Sequence, residues 1–209
     1  MADDVVEQQS SSPTQQRQQG WVLLPEWAFD IMNEFVYEFQ GFCQFRTTQA
    51  AQTVLSVTST GDLAPISENS ILDQLLKHKD MWAVEQVFHY LHRLCTYVHS
   101  AAPTVTRAHR TLGIFASVAL SRLECLLGDY HASLAALSPL YWSSPSPSPS
   151  PTDTSTLDEV NSVFLAKLSL AYHAGISYLM LRRYKDAIRV MSDMCVQLAN
   201  RGFTVCCMT

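Results

Sequence analysis

The sequence predicts an all-α protein built as an array of packed helices. Apolar residues recur at helical spacing through most of the chain, and no segment shows the strict alternation of a half-buried strand. The apolar segments also end at residues that stop helices, such as Pro103 and Gly128. A chain of 209 residues is long enough for one domain with a sizeable core. We therefore expect a single helical array with tails.

Two segments carry the same helix-turn-helix signature, LLGDYHASLAAL at 126–137 and LRRYKDAIRVM at 181–191. In each, an apolar helix stops at a short loop and a tyrosine follows. A small residue then stands three positions after the tyrosine. This spacing is typical of tetratricopeptide-like units, whose small residues let two antiparallel helices approach closely. Such units bury their apolar faces only by stacking on neighbours, so the sequence predicts a tetratricopeptide-like helical-repeat array, an α-solenoid.

The second unit extends further back along the chain. Gly175 lies nine residues before Tyr184, and Ala187 follows that tyrosine by three. Because both are small-residue positions of the unit, we expect Gly175 and Ala187 to face each other across the last helical pair.

Composition divides the chain into five parts. The first is rich in Gln and Ser and too polar to form a core, so we expect disorder there. A second polar stretch has proline at every other position from 145 to 151, which removes backbone donors and blocks helix. The predicted parts are a disordered tail at 1–20, the first part of the helical array at 21–142, a Ser-Pro linker at 143–156, a helical repeat pair at 157–201 and a tail at 202–209.

Apolar periodicity and turn residues also place the individual helices. A Thr/Ser-rich stretch at 47–65 is predicted to be a loop. Gly128 is predicted to end the helix at 106–127. The predicted helices cover 27–46, 67–78, 81–100, 106–127, 132–140, 157–181 and 185–200.

The leading helix carries two apolar stripes instead of one. The first contains Trp27, Ile31, Phe35 and Phe42, and the second contains Phe29, Met32, Val36 and Phe39. One neighbour cannot cover this much large apolar surface, so one stripe is expected in the core and the other against a partner. The sequence does not decide which stripe is which. The partner-surface candidates on this helix are Trp27, Phe35, Phe39 and Phe42.

The densest basic cluster lies at the turn before the last helix and comprises Arg182, Arg183, Lys185 and Arg189. One interpretation is contact with a carboxylate-rich partner or an RNA backbone. The other is a solvated turn in which Asp186 pairs with Arg189 at i, i+3. We include Arg182, Arg183 and Lys185 among the candidate partner-surface residues.

No pattern in the sequence indicates catalysis, a cofactor or a metal. The seven glycines are scattered, so no glycine-rich loop can hold a phosphate. His89, His92 and Cys95 share a helical face at i, i+3, i+6 and could supply soft metal ligands. The simpler interpretation is a core cysteine beside surface histidines. We predict no catalytic, cofactor-binding or metal-binding residue, and therefore not an enzyme.

Charge and cysteine usage suggest where the chain works. The net charge of −5 argues against a dominant nucleic-acid role, and only 16% of residues are charged. Four of the six cysteines fall inside apolar helical patterns, as free thiols do in a reducing compartment. The first twenty residues lack a secretion signal, and the most apolar stretch is interrupted by Arg122 and Glu124. The sequence thus predicts a cytoplasmic protein with no membrane contact.

Three strings give a more specific resemblance: NEFVYEFQGFCQFR at 33–46, LGIFASVALSRLECLLGDYHASLAAL at 112–137 and AGISYLMLRRYKDAIRVM at 174–191. In order and content they resemble the N-terminal helical region of the L subunit family of eukaryotic translation initiation factor 3. The resemblance implies a non-enzymatic scaffold in the multisubunit factor that binds the small ribosomal subunit and helps to assemble the preinitiation complex.

The resemblance also implies partners. They are other subunits of the initiation factor and, indirectly, the small ribosomal subunit, whereas direct RNA contact stays open. Family members continue into a second half closed by a winged helix, the PCI module, which the tail NRGFTVCCMT does not resemble. We expect either a partial or truncated product or a divergent one. The alternative function is a free-standing tetratricopeptide-like adaptor that grips short peptides, although the repeat helices at 112–140 are mostly Leu, Ala and Ser where such grooves carry Asn, Lys and Arg.

Overall fold

A computed structural model describes residues 22–60, 71–141 and 156–201 of the chain. Within these ranges the protein consists of helices and turns without a strand, which confirms the all-α prediction. The predicted tails at 1–20 and 202–209, and all of the Ser-Pro linker except its last residue, lie outside the described residues. The helices are α1 (Pro25–Thr60), α2 (Ile71–Lys77), α3 (Val84–Cys95), α4 (Arg107–Leu127), α5 (Tyr130–Ala136), α6 (Ser138–Tyr141), α7 (Thr156–Ser162), α8 (Phe164–Met180) and α9 (Tyr184–Asn200).

Helix α1 is longer than the sequence predicts. The loop expected from Thr47 is helical as far as Thr60, and residues 61–70 are outside the described part. The hydroxyl oxygens of Thr47 and Thr48 each donate a hydrogen bond of 2.9 Å to the carbonyl four residues earlier. These bonds occupy the threonine side chains inside the helix, so a Thr-rich composition does not end it here.

The structure decides which stripe of α1 is the core. Met32, Val36 and Phe39 are buried, and Phe29 packs edge-on against Phe115 of α4 with ring centroids 6.0 Å apart. Residues at this spacing lie on one face of a helix, so the second stripe docks as a unit.

Helix α3 is shorter than the predicted 81–100 at both ends. At its start, Trp82 has a φ of 53°, and this left-handed conformation keeps residues 81–83 out of the helix. At its end, the hydroxyl of Thr96 donates 2.6 Å to the carbonyl of Arg93, and the chain continues as tight turns. A side chain that competes for a backbone acceptor favours the end of a helix over its interior.

Helix α4 is the centre of the fold, and 12 of its 21 residues are buried. It contacts α1, α3, α5, α6, α7 and α8. Small residues let these neighbours approach on every side. At Gly113, an added Cβ would lie 2.6 Å from the carbonyl oxygen of Leu94 and 3.1 Å from a methyl of Val98. The crossing of α4 and the end of α3 therefore requires glycine at this position.

The predicted limits of α4 are confirmed. Thr106 caps its first turn through a reciprocal pair of bonds with His109, and Gly128 ends it with a φ of 86°. Asp129 then caps α5 by accepting a hydrogen bond of 2.9 Å from the amide of Ala132. The predicted return helix at 132–140 is divided into α5 and α6, because Pro139 lacks an amide hydrogen and lies in the first turn of α6.

The last helical pair differs from its prediction in two ways. The expected helix at 157–181 breaks at Val163, so that α7 and α8 meet at 111°. The hydroxyl of Ser162 donates 2.7 Å to the carbonyl of Glu159, which favours this end, and Val163 is buried at the corner. The second difference concerns Gly175, which we expected to meet Ala187. The nearest atoms to a Cβ on Gly175 belong to Met191, at 2.8 to 3.6 Å.

Three buried serines join the hairpin of α4 and α5 to the hairpin of α8 and α9. Ser133 of α5 donates 2.9 Å to the carbonyl of Ser121, and its oxygen lies 3.0 Å from the hydroxyl oxygens of both Ser121 and Ser177. Because a hydroxyl has one hydrogen and two lone pairs, the other two serines must both donate to Ser133. Each hydroxyl then has a partner in an otherwise apolar junction of α4, α5 and α8.

We predict that Gly113→Ala lowers the free energy of unfolding by about 1–3 kcal/mol, because the new methyl group overpacks against the rigid backbone of Leu94. The matched control is Gly41→Ala in α1, where an added Cβ meets nothing within 4 Å. That control should stabilise by about 0.5–1 kcal/mol through helix propensity. Urea unfolding of both variants measures the difference, and equal effects would refute the close approach.

We also predict that Ser133→Ala lowers the free energy of unfolding by about 1–3 kcal/mol, because it leaves the hydroxyls of two buried serines without their acceptor. Ser192→Ala, on the exposed surface of α9, is the control and should change stability by less than about 0.5 kcal/mol. Thermal melts distinguish the two. A Ser133→Ala melt that matches the control would mean that the serine cluster contributes nothing to the junction.

Candidate interaction surfaces

The first candidate surface is the side of α1 that points away from α4. Trp27 is 65% exposed and Ile31 is 50% exposed, although both are large and apolar. Phe45 is also exposed and shares this side of the helix. We call Trp27, Ile31 and Phe45 the outer face of α1.

The other aromatic candidates of α1 are less accessible. Phe35 is half-buried, with its ring 5.3 Å from that of Trp82, and Phe42 is half-buried under the guanidinium of Arg46. Phe39 is only 6% exposed and also packs near Trp82. Phe35 and Phe42 therefore border the outer face, whereas Phe39 belongs to the core and offers no surface.

The basic cluster forms the turn between α8 and α9. Arg183 is paired with Asp186 at 2.7 Å and lies over the ring of Tyr178, and Arg189 reaches the same carboxylate at 3.5 Å. The predicted Asp186–Arg189 pair is thus present. Among the ion pairs of the described residues, none involves Arg182 or Lys185, and both are exposed. These two cations are the part of the cluster that is open to a partner.

The turn itself repeats the first hairpin with one difference. Arg182 has a φ of 61° at the position where the first hairpin has Gly128. The amide of Arg183 reaches back 2.8 Å to the carbonyl of Tyr178, as the amide of Asp129 reaches Glu124 at 3.0 Å. The left-handed conformation costs a side chain about 1 kcal/mol or more, so this arginine occupies a strained position.

A third surface is a groove of about 460 Å³ between α1, α4, α8 and α9. Leu165 and Tyr172 of α8 form part of its wall, and Met194 and Leu198 of α9 form another part. Leu165 and Tyr172 are exposed although they are large and apolar. Sequence patterns did not indicate this groove, because its lining combines one face of α8 with residues of three other helices that are distant in the chain.

Arg122 is one of the residues that line this groove. One terminal nitrogen donates a hydrogen bond of 3.1 Å to the side-chain amide oxygen of Asn33, and the other donates one of 2.7 Å to that of Gln40. These two bonds connect α4 to α1. Both acceptors are neutral. Burial lowers the pKa of the Arg122 guanidinium. No ion pair of the described residues includes it, so its charge is partly desolvated and held only by amide dipoles.

His173 lies beside Arg122 in the same groove. Its Nδ1 is 2.7 Å from the carbonyl oxygen of Ser169, so the proton is on Nδ1. Burial lowers the pKa of His173 below its ordinary value of 6.5, the bond to Ser169 raises it, and the charge of Arg122 lowers it again. The neutral imidazole leaves Arg122 as the only formal charge among the described lining residues.

The residues considered as metal ligands are not brought together as a site. His89 and His92 are exposed, whereas the thiol of Cys95 packs inward with its sulfur 3.3 Å from the hydroxyl oxygen of Ser117. Burial raises the pKa of the Cys95 thiol. Across the described ranges, no group of three or more His, Cys, Asp or Glu could hold a metal ion.

In the part of the chain that the structure describes, no single helix is both long enough and apolar enough to span a membrane. Helices α7 and α8 meet these two requirements only when taken together, and they are bent by 111° where they meet.

We predict that Arg122→Gln raises the pKa of His173, because it removes a neighbouring positive charge. In the parent chain the pKa of His173 is lower in the folded state than in the unfolded state. The stability that this difference contributes is therefore present above pH 6.5 and is lost as the pH falls below 6.5 towards the folded-state pKa. NMR titration of the imidazole measures the shift. Arg189→Gln, away from the groove, is the control, and an unchanged His173 in Arg122→Gln would contradict the coupling.

A family model described as RNA polymerase I-associated factor PAF67 matches residues 11–204. The chain is 27% identical over 189 residues to eukaryotic translation initiation factor 3 subunit L of Drosophila ananassae, and 25% identical over 189 residues to that of Drosophila mojavensis. Each alignment covers 82% of this chain and 30% of the relative.

These relatives confirm the resemblance on which the sequence prediction rests. The chain spans less than a third of the length of the curated relatives it matches. The family model, in contrast, matches nearly the whole chain. The chain therefore belongs to the PAF67 family, and its similarity to subunit L of eukaryotic translation initiation factor 3 makes it an L-like member.

Proposed function

We propose that this chain is a non-catalytic scaffold subunit of eukaryotic translation initiation factor 3 that acts in preinitiation-complex assembly on the small ribosomal subunit. The observation that carries the proposal is the alignment of 82% of the chain with relatives named as subunit L of that factor. The proposed place of action is the cytoplasm, with the ribosomal subunit reached through other subunits.

The outer face of α1 supports a role in assembly. Soluble monomers seldom leave large apolar side chains grouped on one side of a helix, and such groups mark surfaces that another protein covers. The proposed partner surface consists of Trp27 and Ile31 at its centre, with Phe35 and Phe42 at its edge. Because aromatic side chains often dominate interface energy, we assign Trp27 the largest share.

The cluster of Arg182, Arg183 and Lys185 is the second part of the proposed surface. Arg182 and Lys185 make no ion pair among the described residues, and Arg183 keeps Asp186 as a partner. Two free cations on a turn favour an acidic protein surface, because a nucleic-acid site normally concentrates more Lys and Arg. Arg182 has a strained backbone conformation, and its side chain is exposed.

Affinity purification of the tagged chain from its own cells, followed by mass spectrometry, tests the function. Many initiation-factor subunits with small-subunit ribosomal proteins would support it. Recovery of RNA polymerase I subunits would favour the association in the family's name instead. Recovery of chaperones alone, or of unrelated peptide-bearing clients as expected for a free-standing adaptor, would refute it.

We predict that Trp27→Ala leaves folding unchanged within about 0.5 kcal/mol but reduces co-purification of the other subunits, because this side chain is exposed in the chain alone. Phe39→Ala on the buried stripe is the matched control and should cost about 3–5 kcal/mol of stability. Thermal melts and quantitative mass spectrometry give the two readouts. If Trp27→Ala keeps full co-purification, the outer face is not the partner surface.

A further inference from the structure

We propose that the groove between α1, α8 and α9 binds a helix of a partner protein that carries an Asp or Glu between apolar residues, with the carboxylate bound by Arg122. The inference goes beyond the proposed function, because it concerns a different surface and specifies the chemistry of the bound segment. It does not depend on which complex the chain joins.

The charge of the groove gives the first step. The two bonds of Arg122 use two of the five N–H donors of its guanidinium. Among the described residues no hydrogen bond uses the other three donors, and a guanidinium is the side-chain group best suited to bind a carboxylate. Arg122 is partly buried between helices, where water screens a charge poorly, and its protein partners are two neutral amides. An incoming carboxylate would therefore supply the counter-charge that the described part of the chain does not.

The walls of the groove give the second step. Leu165 is 60% exposed and Tyr172 is 49% exposed, and Leu198 faces the same space from α9. None of the described lining residues is acidic, so nothing in the groove repels a carboxylate. The bound segment must accordingly be apolar on both sides of its acidic residue.

The shape of the groove gives the third step. Its lining follows about two turns of α8, from Leu165 to His173, and about one turn each of α1 and α9. Elongated apolar channels between helices suit an amphipathic helix, which places side chains into them at i, i+3 and i+4. A helix with a central Asp or Glu meets the apolar walls and the guanidinium at once.

Cross-linking in cells identifies the segment. The photoreactive residue p-benzoylphenylalanine replaces Tyr172 in the full chain, expressed in the cells it comes from, and the cross-linked peptide is sequenced by mass spectrometry. We expect a segment with an Asp or Glu flanked by apolar residues at helical spacing. Absence of a cross-link from position 172, or a segment without an acidic residue, would overturn the proposal.

Binding measurements test the role of Arg122. The cross-linked segment is synthesised, and its affinity for the purified full chain is measured by fluorescence anisotropy. Arg122→Gln, and separately the change of the acidic residue of the peptide to its amide, should each weaken binding by at least about tenfold. The two changes together should weaken it little further, because they remove the same interaction. Additive effects, or no effect of Arg122→Gln, would overturn the proposal.

A second variant separates binding from folding. Leu165→Glu places a negative charge on the exposed wall of the groove and should also weaken binding at least about tenfold by repelling the carboxylate. Ile188→Glu makes the same change at an exposed position of α9 that does not line the groove, and it should leave the affinity unchanged. Equal loss in both variants would overturn the assignment to the groove. A segment that meets every criterion but comes from outside the initiation factor would support the groove and refute the proposed function.

Discussion

The burial of α4 is the constraint on which the rest of this structure depends. A helix at the surface of a protein needs only one apolar stripe, whereas α4 has an unbroken buried run from 113 to 121. Such a helix can contain few charges and needs small residues wherever another backbone crosses it. Gly113 at the crossing with α3 is the clearest case. The low charge content of the chain follows in part from this one helix.

Polar groups inside a buried helix must find partners within the protein. Along α4 these groups are Thr111 and two serines, and each has a specific neighbour. Thr111 donates a hydrogen bond of 3.2 Å to the carboxylate of Glu159 in α7. Ser117 donates to the carbonyl of Gly113, and Ser121 takes part in the cluster with Ser133 and Ser177. Apolar contacts alone would allow the two hairpins to slide against each other. The directional hydrogen bonds fix their register.

The same burial explains why a charged residue lines the groove. Arg122 is the first charged residue after the buried run of α4, so its side chain leaves the core where α1 and α8 approach. Asn33 and Gln40 hold the guanidinium in place without neutralising it. Structure and partner recognition are coupled here, because the residue that ties α1 to α4 is the one proposed to receive a carboxylate.

The amino-acid sequence by itself determined the features that depend on neighbours along the chain. The limits of α4 follow from Thr106 and Gly128, and the two hairpins follow from their repeated tyrosine spacing, because caps and turns are local. The all-α class and the family resemblance could also be predicted, because apolar periodicity and distinctive sequence strings can be recognised without a three-dimensional structure.

Only the tertiary structure decided the features that depend on residues distant in sequence. Which stripe of α1 is buried was open, because both are apolar, and contact with Phe115 assigns it. The helical state of 47–60 and the break at Val163 were not predicted either, although the side-chain bonds of Thr47 and Ser162 that accompany them reach only three or four residues along the chain. The groove around Arg122 could not be predicted from the sequence, because four helices contribute to its lining and no single segment of the chain contains all of these residues.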